Sequence, residues 1–289
     1  MTRPLVLKFG GELIEDPAYL TSVVTGIRAI AAPGVPLVLV HGGGKEIDAA
    51  LKVAGIEKRQ VEGLRITDAS TLDVVVAVLA GTVNTRLVAA LQTAGVAAVG
   101  LTGADAACGL SNAAPAHRTV DGRVVELGQV GVPHERAEMR LIHTLTRDGF
   151  VPVIACIGLG GDGQLYNVNA DTFAGHLAAR LGARRLVIAG TTPGVLGTDA
   201  ATLPVLDAAA VDALVASGTA TAGMIAKLRA CEYALANGVD EVVIVDGRGA
   251  ALASAAGDAP QSATRLVGGP AGNAGEANLG GATVRMVTA

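Results

Sequence analysis

Two glycine-rich turns follow apolar runs near the start of the chain, and each could hold an anion. Residues 8–11 read Lys-Phe-Gly-Gly, and residues 41–44 read His-Gly-Gly-Gly. Glycine lets an anion come close to the backbone, and the free N–H groups at a helix start carry partial positive charge. Two such turns favour a reaction that moves a charged group between two anions, and phosphoryl transfer is the common case.

Two lysines are the candidate cations for that reaction. Lys8 ends an otherwise apolar run, where an ammonium group is costly to bury without an anion, although a lysine can also extend to the surface. Lys227 lies near the start of a predicted helix, where its charge opposes the helix dipole. A bound anion would explain this position, and an ordinary solvated lysine is the alternative.

Other polar residues lie where a substrate could be bound. Arg65 could hold a carboxylate with its planar fork, or it could be a surface arginine. Residues 167–171 read Asn-Val-Asn-Ala-Asp before a helix; Asn169 or Asp171 could cap that helix, or Asp171 could hold lysines in place. We interpret His41 as a structural residue, because a carboxylate acceptor is already ionised near pH 7 and needs no general base.

Two familiar nucleotide motifs do not fit. Residues 158–163 read Gly-Leu-Gly-Gly-Asp-Gly, which matches a dinucleotide fingerprint, but no helix opens inside them. Residues 44–46 read Gly-Lys-Glu and lack the upstream glycine and the hydroxyl residue of a P-loop.

The composition limits the function classes. The chain has 289 residues, 51% hydrophobic and 17% charged, with a net charge of −4 and no Trp. This excludes a basic nucleic-acid surface with stacking aromatics. Three scattered cysteines favour a reduced cytoplasmic protein, and no signal peptide is recognisable before the first strand. The longest apolar run, residues 74–83, is too short to span a membrane.

Strands and helices alternate along the chain, and these elements must position the candidate residues. Apolar runs predict strands at residues 5–9, 37–40, 96–101, 151–157, 185–189, 242–245 and 284–287. Helical spacing and caps predict helices at residues 18–31, 45–54, 68–79, 84–93, 135–147, 172–181, 207–217 and 224–237. Continuous apolar strands between helices indicate an α/β fold with a largely parallel sheet covered on both faces. Ligands of such sheets bind beyond the carboxyl ends of the strands, where the glycine turns fall.

The chain divides near Leu181. We predict an N-terminal lobe of residues 1–181 and a C-terminal lobe of residues 182–289. Residues 61–66 could form a short hairpin, and Asp-Gly at 121–122 predicts another. Residues 255–281 are rich in Gly, Ala and Asn and predict a long mobile surface loop, either an insertion or a lid.

Taken in order, six short motifs resemble those of the amino acid kinase family over residues 8–248. They lie at residues 8–11, 40–44, 63–68, 167–171, 223–227 and 245–248. The resemblance is greatest to the branch that phosphorylates the side-chain carboxylate of N-acetyl-L-glutamate with ATP, the second step of arginine biosynthesis. It implies a three-layer α/β/α sandwich around an open sheet, an N-terminal lobe for the amino acid and a C-terminal lobe for ATP with Mg²⁺. It also implies a homodimer through the N-terminal lobe.

The resemblance also implies residue roles. Lys8, Lys227 and the N–H group of Gly11 would contact the phosphoryl group, and Asp171 would orient the two lysines. The substrate would be held by Gly43, Gly44, Arg65 and Asn167. The nucleotide would contact Thr191, Thr192, Gly194, Leu196, Thr219 and Thr221. Mg²⁺ would be held by phosphate oxygens and water, without a protein ligand.

Several alternatives stay open. A kinase for carrier-protein-bound aminoadipate would want more basic residues than the single Arg65 of residues 63–68. Glutamate 5-kinase, aspartokinase and UMP kinase share the first turn but lack the combined motifs at 63–68 and 167–171. A catalytically silent nucleotide sensor is favoured by Thr191 and Ala222, which stand where relatives have acidic or polar residues. An NAD-dependent dehydrogenase would rest on residues 158–163 alone.

Overall fold

The computed structural model describes residues 2–119, 121–220, 222–258, 260 and 262–268. Its helices are α1 (Glu12–Glu15), α2 (Pro17–Ala31), α3 (Gly44–Val53), α4 (Ala69–Val76), α5 (Asn84–Thr93), α6 (Arg140–Arg147), α7 (Ala170–Arg180), α8 (Ala208–Ala216), α9 (Ala222–Ala236) and α10 (Ala251–Ala256). A π-helical turn covers Ala77–Val83, and a short 3₁₀ turn covers Asp105–Ala107.

The strands form one large sheet, one small sheet and two hairpins. They are β1 (Leu5–Phe9), β2 (Leu37–His41), β3 (Gln60–Val61), β4 (Leu64–Arg65), β5 (Ala98–Thr102), β6 (Ser111–Ala113), β7 (His117–Arg118), β8 (Val124–Val125), β9 (Val130–Pro133), β10 (Val151–Ala155), β11 (Ile157–Leu159), β12 (Leu165–Val168), β13 (Arg185–Gly190), β14 (Val205–Leu206), β15 (Glu241–Asp246) and β16 (Thr264–Leu266).

The large sheet has the strand order β14-β16-β15-β13-β1-β2-β10-β5. All of its pairs are parallel except β15 with β16. Its central strands are buried, which explains their continuous apolar sequence. The predicted α/β fold with a largely parallel sheet is therefore confirmed. Because β1 pairs with β13 across the predicted lobe boundary, both halves of the chain share this sheet.

Cys156 marks a change of sheet that the apolar run at 151–157 did not predict. Strand β10 of the large sheet ends at Ala155. Strand β11 begins at Ile157 and belongs to the small sheet, whose order is β11-β12-β9-β6. Residues 160–164 form the turn of the β11–β12 hairpin. The literal dinucleotide motif at 158–163 is thus a hairpin turn, and no helix begins there.

One long helix replaces the two helices predicted around residue 81. α4 and α5 join through the π turn into a continuous helix, Ala69–Thr93. The wider π turn keeps Leu79 and Val83 on the buried side of the helix. Because these contacts stabilise the turn, Gly81 does not end the helix. By length and composition alone this helix could cross a membrane, but its buried stripe packs on the protein core, as soluble core helices do.

The segment predicted as a loop from residue 255 is partly regular. α10 extends to Ala256, and Thr264–Leu266 forms β16 between β14 and β15. The loop prediction is wrong for these residues, because a three-residue strand is too short to show a pattern. Residues 269–281 and the predicted strand at 284–287 lie outside the described residues.

Candidate active site

The two glycine turns touch each other. β1 and β2 are parallel neighbours, so both turns leave the sheet at the same edge. A methyl group on Gly11 would lie 2.9 Å from the Cα atom of Gly43 and 3.2 Å from the nitrogen of Gly44. Only glycine permits this approach, which places backbone N–H groups of both turns side by side.

Asp171 joins the two candidate lysines. Its Oδ1 atom lies 2.7 Å from Nζ of Lys8, and its Oδ2 atom lies 3.2 Å from Nζ of Lys227. The side chains are 12%, 8% and 19% exposed for Asp171, Lys8 and Lys227, respectively. The structure therefore brings the three predicted residues into one nearly buried cluster with a net charge of +1, close to the glycine turns.

The ionisation states follow from burial and from these charges. Burial opposes the charged form of Asp171, but the two lysines outweigh it and lower its pKa to about 2. For Lys8, burial is outweighed by the charges of Asp171 and Glu12, which raise its pKa. For Lys227, burial and the charge of Lys8 outweigh Asp171 and lower its pKa. Lys227 thus lacks sufficient anionic neighbours until a ligand supplies them.

Asp171 lies in the first turn of α7, and Lys227 lies on α9. Asn169 caps α7 by accepting hydrogen bonds from the backbone nitrogens of Asp171 (3.0 Å) and Thr172 (3.1 Å). Asp171 is then free to use its carboxylate on the lysines. The capping role and the lysine-holding role, which the sequence left as alternatives, belong to different residues of the same motif.

Arg65 lies beside the second glycine turn. Its Nη2 atom donates to Oδ1 of Asp48 at 2.5 Å and to the carbonyl oxygen of Gly44 at 3.4 Å. Its Nη1 atom is buried and has no hydrogen-bond partner among the described residues. A buried guanidinium with an unused donor is suited to a ligand carboxylate. Asp48 was not predicted, because a carboxylate in a polar helix carries no distinguishing signal.

Asn167 lies on β12, an inner strand of the small sheet. Its Nδ2 atom donates to Oγ1 of Thr67 at 3.1 Å, two positions after Arg65. A methyl group on Gly42 would contact Cβ of Ala170 at 3.3 Å. The Arg65, Asn167 and glycine-turn predictions therefore converge on one region that adjoins the lysine cluster.

His41 is a neutral structural residue, as the sequence favoured. Its Nδ1 atom lies 3.1 Å from the carbonyl oxygen of Gly42, and its Nε2 atom lies 3.0 Å from Nδ2 of Asn84. Burial lowers its pKa to about 4, so the ring donates through Nδ1 and accepts through Nε2. Asn84 follows the π turn and was not predicted from the sequence.

Two of the predicted nucleotide residues share a cavity. It has a volume of about 110 Å³ and is lined by Val195, Leu196, Leu214, Thr219, Ala220 and Met224. Its mainly apolar walls and single hydroxyl group suit part of a flat heterocycle, since pockets for whole ligands have volumes of about 300–1,000 Å³.

The other predicted nucleotide residues are dispersed. Thr191 lines a separate open cleft of about 540 Å³ with Glu12, Glu15, Asp16, Tyr19 and Lys45. Thr192 is exposed. Gly194 is buried, and a methyl group there would lie 2.4 Å from Oγ1 of Thr264, so close packing explains this glycine. Thr221 lies outside the described residues.

The comparisons with known proteins agree with this geometry. The model of the amino acid kinase family matches residues 3–246. The chain belongs to the amino acid kinase family.

Among the described residues, no group of three or more His, Cys, Asp or Glu could hold a metal ion.

Curated relatives narrow the similarity to one branch. The chain is 43% identical over 250 residues to an acetylglutamate kinase of Granulibacter bethesdensis, covering 84% of this chain and 83% of the relative. It is 42% identical to an acetylglutamate kinase of Acidiphilium cryptum, covering 84% and 83%. Among solved structures, smu.665 from Streptococcus mutans has a TM-score of 0.75 and 26% identity, covering 85% of this chain and 96% of that one.

Proposed function

We propose that the chain transfers the γ-phosphoryl group of ATP to the side-chain carboxylate of N-acetyl-L-glutamate, a transferase reaction of arginine biosynthesis. The observation that carries this proposal is the pair of lysines, Lys8 and Lys227, on the shared carboxylate of Asp171 beside two touching glycine turns. The choice of substrate is supported by relatives named acetylglutamate kinase, which this chain matches over most of their length.

The reaction brings two anions together, and the cluster offsets their repulsion. A carboxylate oxygen of the substrate forms a bond to the γ-phosphorus while the bond from phosphorus to the bridging oxygen breaks. The products are N-acetyl-L-glutamyl 5-phosphate and ADP. Lys8, Lys227 and the N–H group of Gly11 stabilise the charge on the transferred group. Asp171 stays ionised and holds the lysines; it removes no proton.

The substrate is held at its other end. Arg65 offers its unpartnered Nη1 donor to the α-carboxylate, and Asn167 fixes the same end. The backbone of Gly43 and Gly44 holds the side chain that reacts. Free acetylated amino acid suits this site better than a carrier-bound one, since residues 63–68 carry no basic residue besides Arg65.

We assign the ATP site to the C-terminal half of the chain. Leu196 and Thr219 line a cavity suited to part of the base. Thr191, Thr192 and Gly194 do not line this cavity and, like Thr221, stay predicted contacts of the nucleotide. Bound Mg²⁺ neutralises phosphate charge, and phosphate oxygens and water are the ligands that this hard cation prefers.

We extend the proposal to a cytoplasmic homodimer formed through the N-terminal half. The outward side of the Ala69–Thr93 helix carries the exposed residues Ala77, Gly81 and Thr82, whereas Val74 is half-buried and packs against the core. Small and apolar residues on an exposed helix face allow two helices to pack closely. Light scattering that gave the mass of a monomer would contradict this part of the proposal alone.

A coupled assay of ADP release tests the reaction. The purified chain would be given ATP and Mg²⁺ with N-acetyl-L-glutamate, glutamate, aspartate or aminoadipate on a carrier protein. We expect turnover with N-acetyl-L-glutamate only, and a hydroxamate test would detect the acyl phosphate. Nucleotide binding without turnover would instead identify a silent sensor, and bound NAD absorbance would favour a dehydrogenase.

A further inference from the structure

The helix that carries Asp171 and the helix that carries Lys227 pack along each other in parallel. Three contacts follow in register from their N-terminal ends. Asp171 meets Lys227, Gly175 meets Ala230, and His176 meets Tyr233. Successive contacts on matched faces place the catalytic pair at one end of a continuous helix–helix interface.

Gly175 is the point of closest backbone approach in this interface. A methyl group there would lie 2.6 Å from the carbonyl oxygen of Ala230 and 3.4 Å from its carbonyl carbon. The obstacle is backbone, which cannot rotate away as a side chain can. The glycine has no positive φ angle, so conformation does not explain it; the need for close contact does.

The next turn of the interface is fixed by a polar contact. The rings of His176 and Tyr233 are stacked, with centroids 5.9 Å apart. Nδ1 of His176 lies 3.2 Å from the hydroxyl oxygen of Tyr233. This pair limits sliding of α7 against α9 on the side of Gly175 away from the active site.

We infer that Gly175 is a positioning residue, which sets the distance between the Asp171 carboxylate and the Lys227 ammonium group by holding α7 and α9 in backbone contact. The inference rests on the proposed function and deepens it. An alanine at position 175 must push the helices apart by roughly half an ångström, because closely packed interiors offer no free space. Lys227, at 3.2 Å, then moves beyond good hydrogen-bond distance of Asp171.

The chain offers a matched control. Gly26 is likewise a buried glycine within a helix, α2. A methyl group there would lie 3.1 Å from Cδ2 of Leu252, the end of a flexible side chain on α10. Gly26→Ala and Gly175→Ala therefore make the same chemical change in a helix, but only the second meets backbone next to the site.

The experiment compares kcat, KM and pH profiles for wild type, Gly175→Ala and Gly26→Ala. We expect Gly175→Ala to lower kcat about 10- to 100-fold, since small misplacements of reacting groups have effects of that size. KM for N-acetyl-L-glutamate should stay within about twofold, because Arg65 and Asn167 lie on other elements. Gly26→Ala should match wild type.

The alkaline limb of the pH profile of kcat/KM distinguishes a change in the position of Lys227 from a general loss of structure. The ionisable groups around the ammonium group of Lys227 are Lys8 on β1, Asp171 on α7 and Cys231 on its own helix. Moving Lys227 changes its distance from Asp171, which favours its charged form, and from Lys8, which opposes it, so the limb should move in Gly175→Ala only. Merely structural damage would lower activity without moving the limb.

Each outcome decides the inference. Wild-type kcat and an unmoved limb in folded Gly175→Ala would overturn it, whereas an inactive wild type would overturn the proposed function instead. If Gly175→Ala does not fold, Tyr233→Phe tests the same interface, because it removes only the hydroxyl contact to His176. A two- to fivefold fall in kcat with a moved limb would support the inference; wild-type values would overturn it.

Discussion

The ammonium group of Lys227 lies 3.2 Å from the carboxylate of Asp171, which precedes it by 56 positions in the chain. The same carboxylate holds Lys8, from the first strand, at 2.7 Å. One anion thus keeps two cations close together and nearly buried, against their mutual repulsion. This arrangement leaves one unit of positive charge for anionic ligands, and it makes Asp171 the residue on which both lysines depend.

Replacing Asp171 by asparagine should disrupt both lysines. We expect Asp171→Asn to lower kcat by roughly 10²-fold, because the phosphoryl-binding groups lose their fixed positions. We also expect a lower melting temperature, since breaking a buried ion pair typically costs about 3–5 kcal/mol. Steady-state kinetics and calorimetry measure the two effects. Asp240→Asn is the control: its exposed pair with Arg3 should contribute little.

Removing either lysine should affect the reaction more than the fold. We expect Lys8→Ala and Lys227→Ala each to lower kcat by about 10²–10³, the usual effect of losing one buried donor to a transition state. Circular dichroism should show the secondary structure retained. Lys52→Ala, at an exposed position of α3, should leave kcat unchanged. Wild-type turnover in Lys227→Ala would remove that residue from the proposed mechanism.

The sequence predicts those features of the site that have local signatures. Glycines after apolar strands, a cap before α7 and a lysine opposing a helix dipole are readable from short segments. The structure brings Lys8, Asp171 and Lys227 together as expected. Asp48, Asn84 and Gly175 carry no such signature, because each is defined by a partner 17 or more positions away. The change of sheet at Cys156 and the π turn likewise depend on tertiary packing that outweighs local pattern.

Arginine at position 65 should matter for substrate binding and not for chemistry. We expect Arg65→Lys to raise KM for N-acetyl-L-glutamate about 10- to 100-fold with little change in kcat. A lysine has one nitrogen in place of the planar fork, so it cannot hold Asp48 with one nitrogen while a second nitrogen faces the substrate carboxylate. Initial-rate kinetics at varied N-acetyl-L-glutamate would measure this.

Arg59, just before the first strand of the hairpin that carries Arg65, supplies the control for that experiment. Arg59 is half exposed and pairs with Asp68, so Arg59→Lys should leave KM within about twofold. Equal effects of the two substitutions, or a large fall in kcat with unchanged KM in Arg65→Lys, would contradict the proposed role of Arg65.

Two buried histidines should make the fold sensitive to mild acid. Burial lowers the pKa of His41 and of His176 to about 4 from an ordinary value of 6.5. The unfolded chain therefore binds protons at these residues between pH 6.5 and 4, whereas the folded chain does not. The stabilisation is complete above pH 6.5 and is lost as pH falls towards 4, by up to about 3 kcal/mol per histidine.

Denaturant unfolding at several pH values would test this for His176 on its own. His176→Phe keeps a ring that can stack on Tyr233 but cannot bind a proton. The free energy of unfolding of this variant should fall less steeply between pH 6.5 and 4 than that of wild type, whatever its value at pH 7. His143→Asn, at an exposed position of α6, should keep the wild-type slope. The slope reports the difference in bound protons between the folded and the unfolded chain. Identical slopes for His176→Phe and wild type would therefore mean that His176 is protonated equally in the folded and the unfolded chain, which would contradict this prediction.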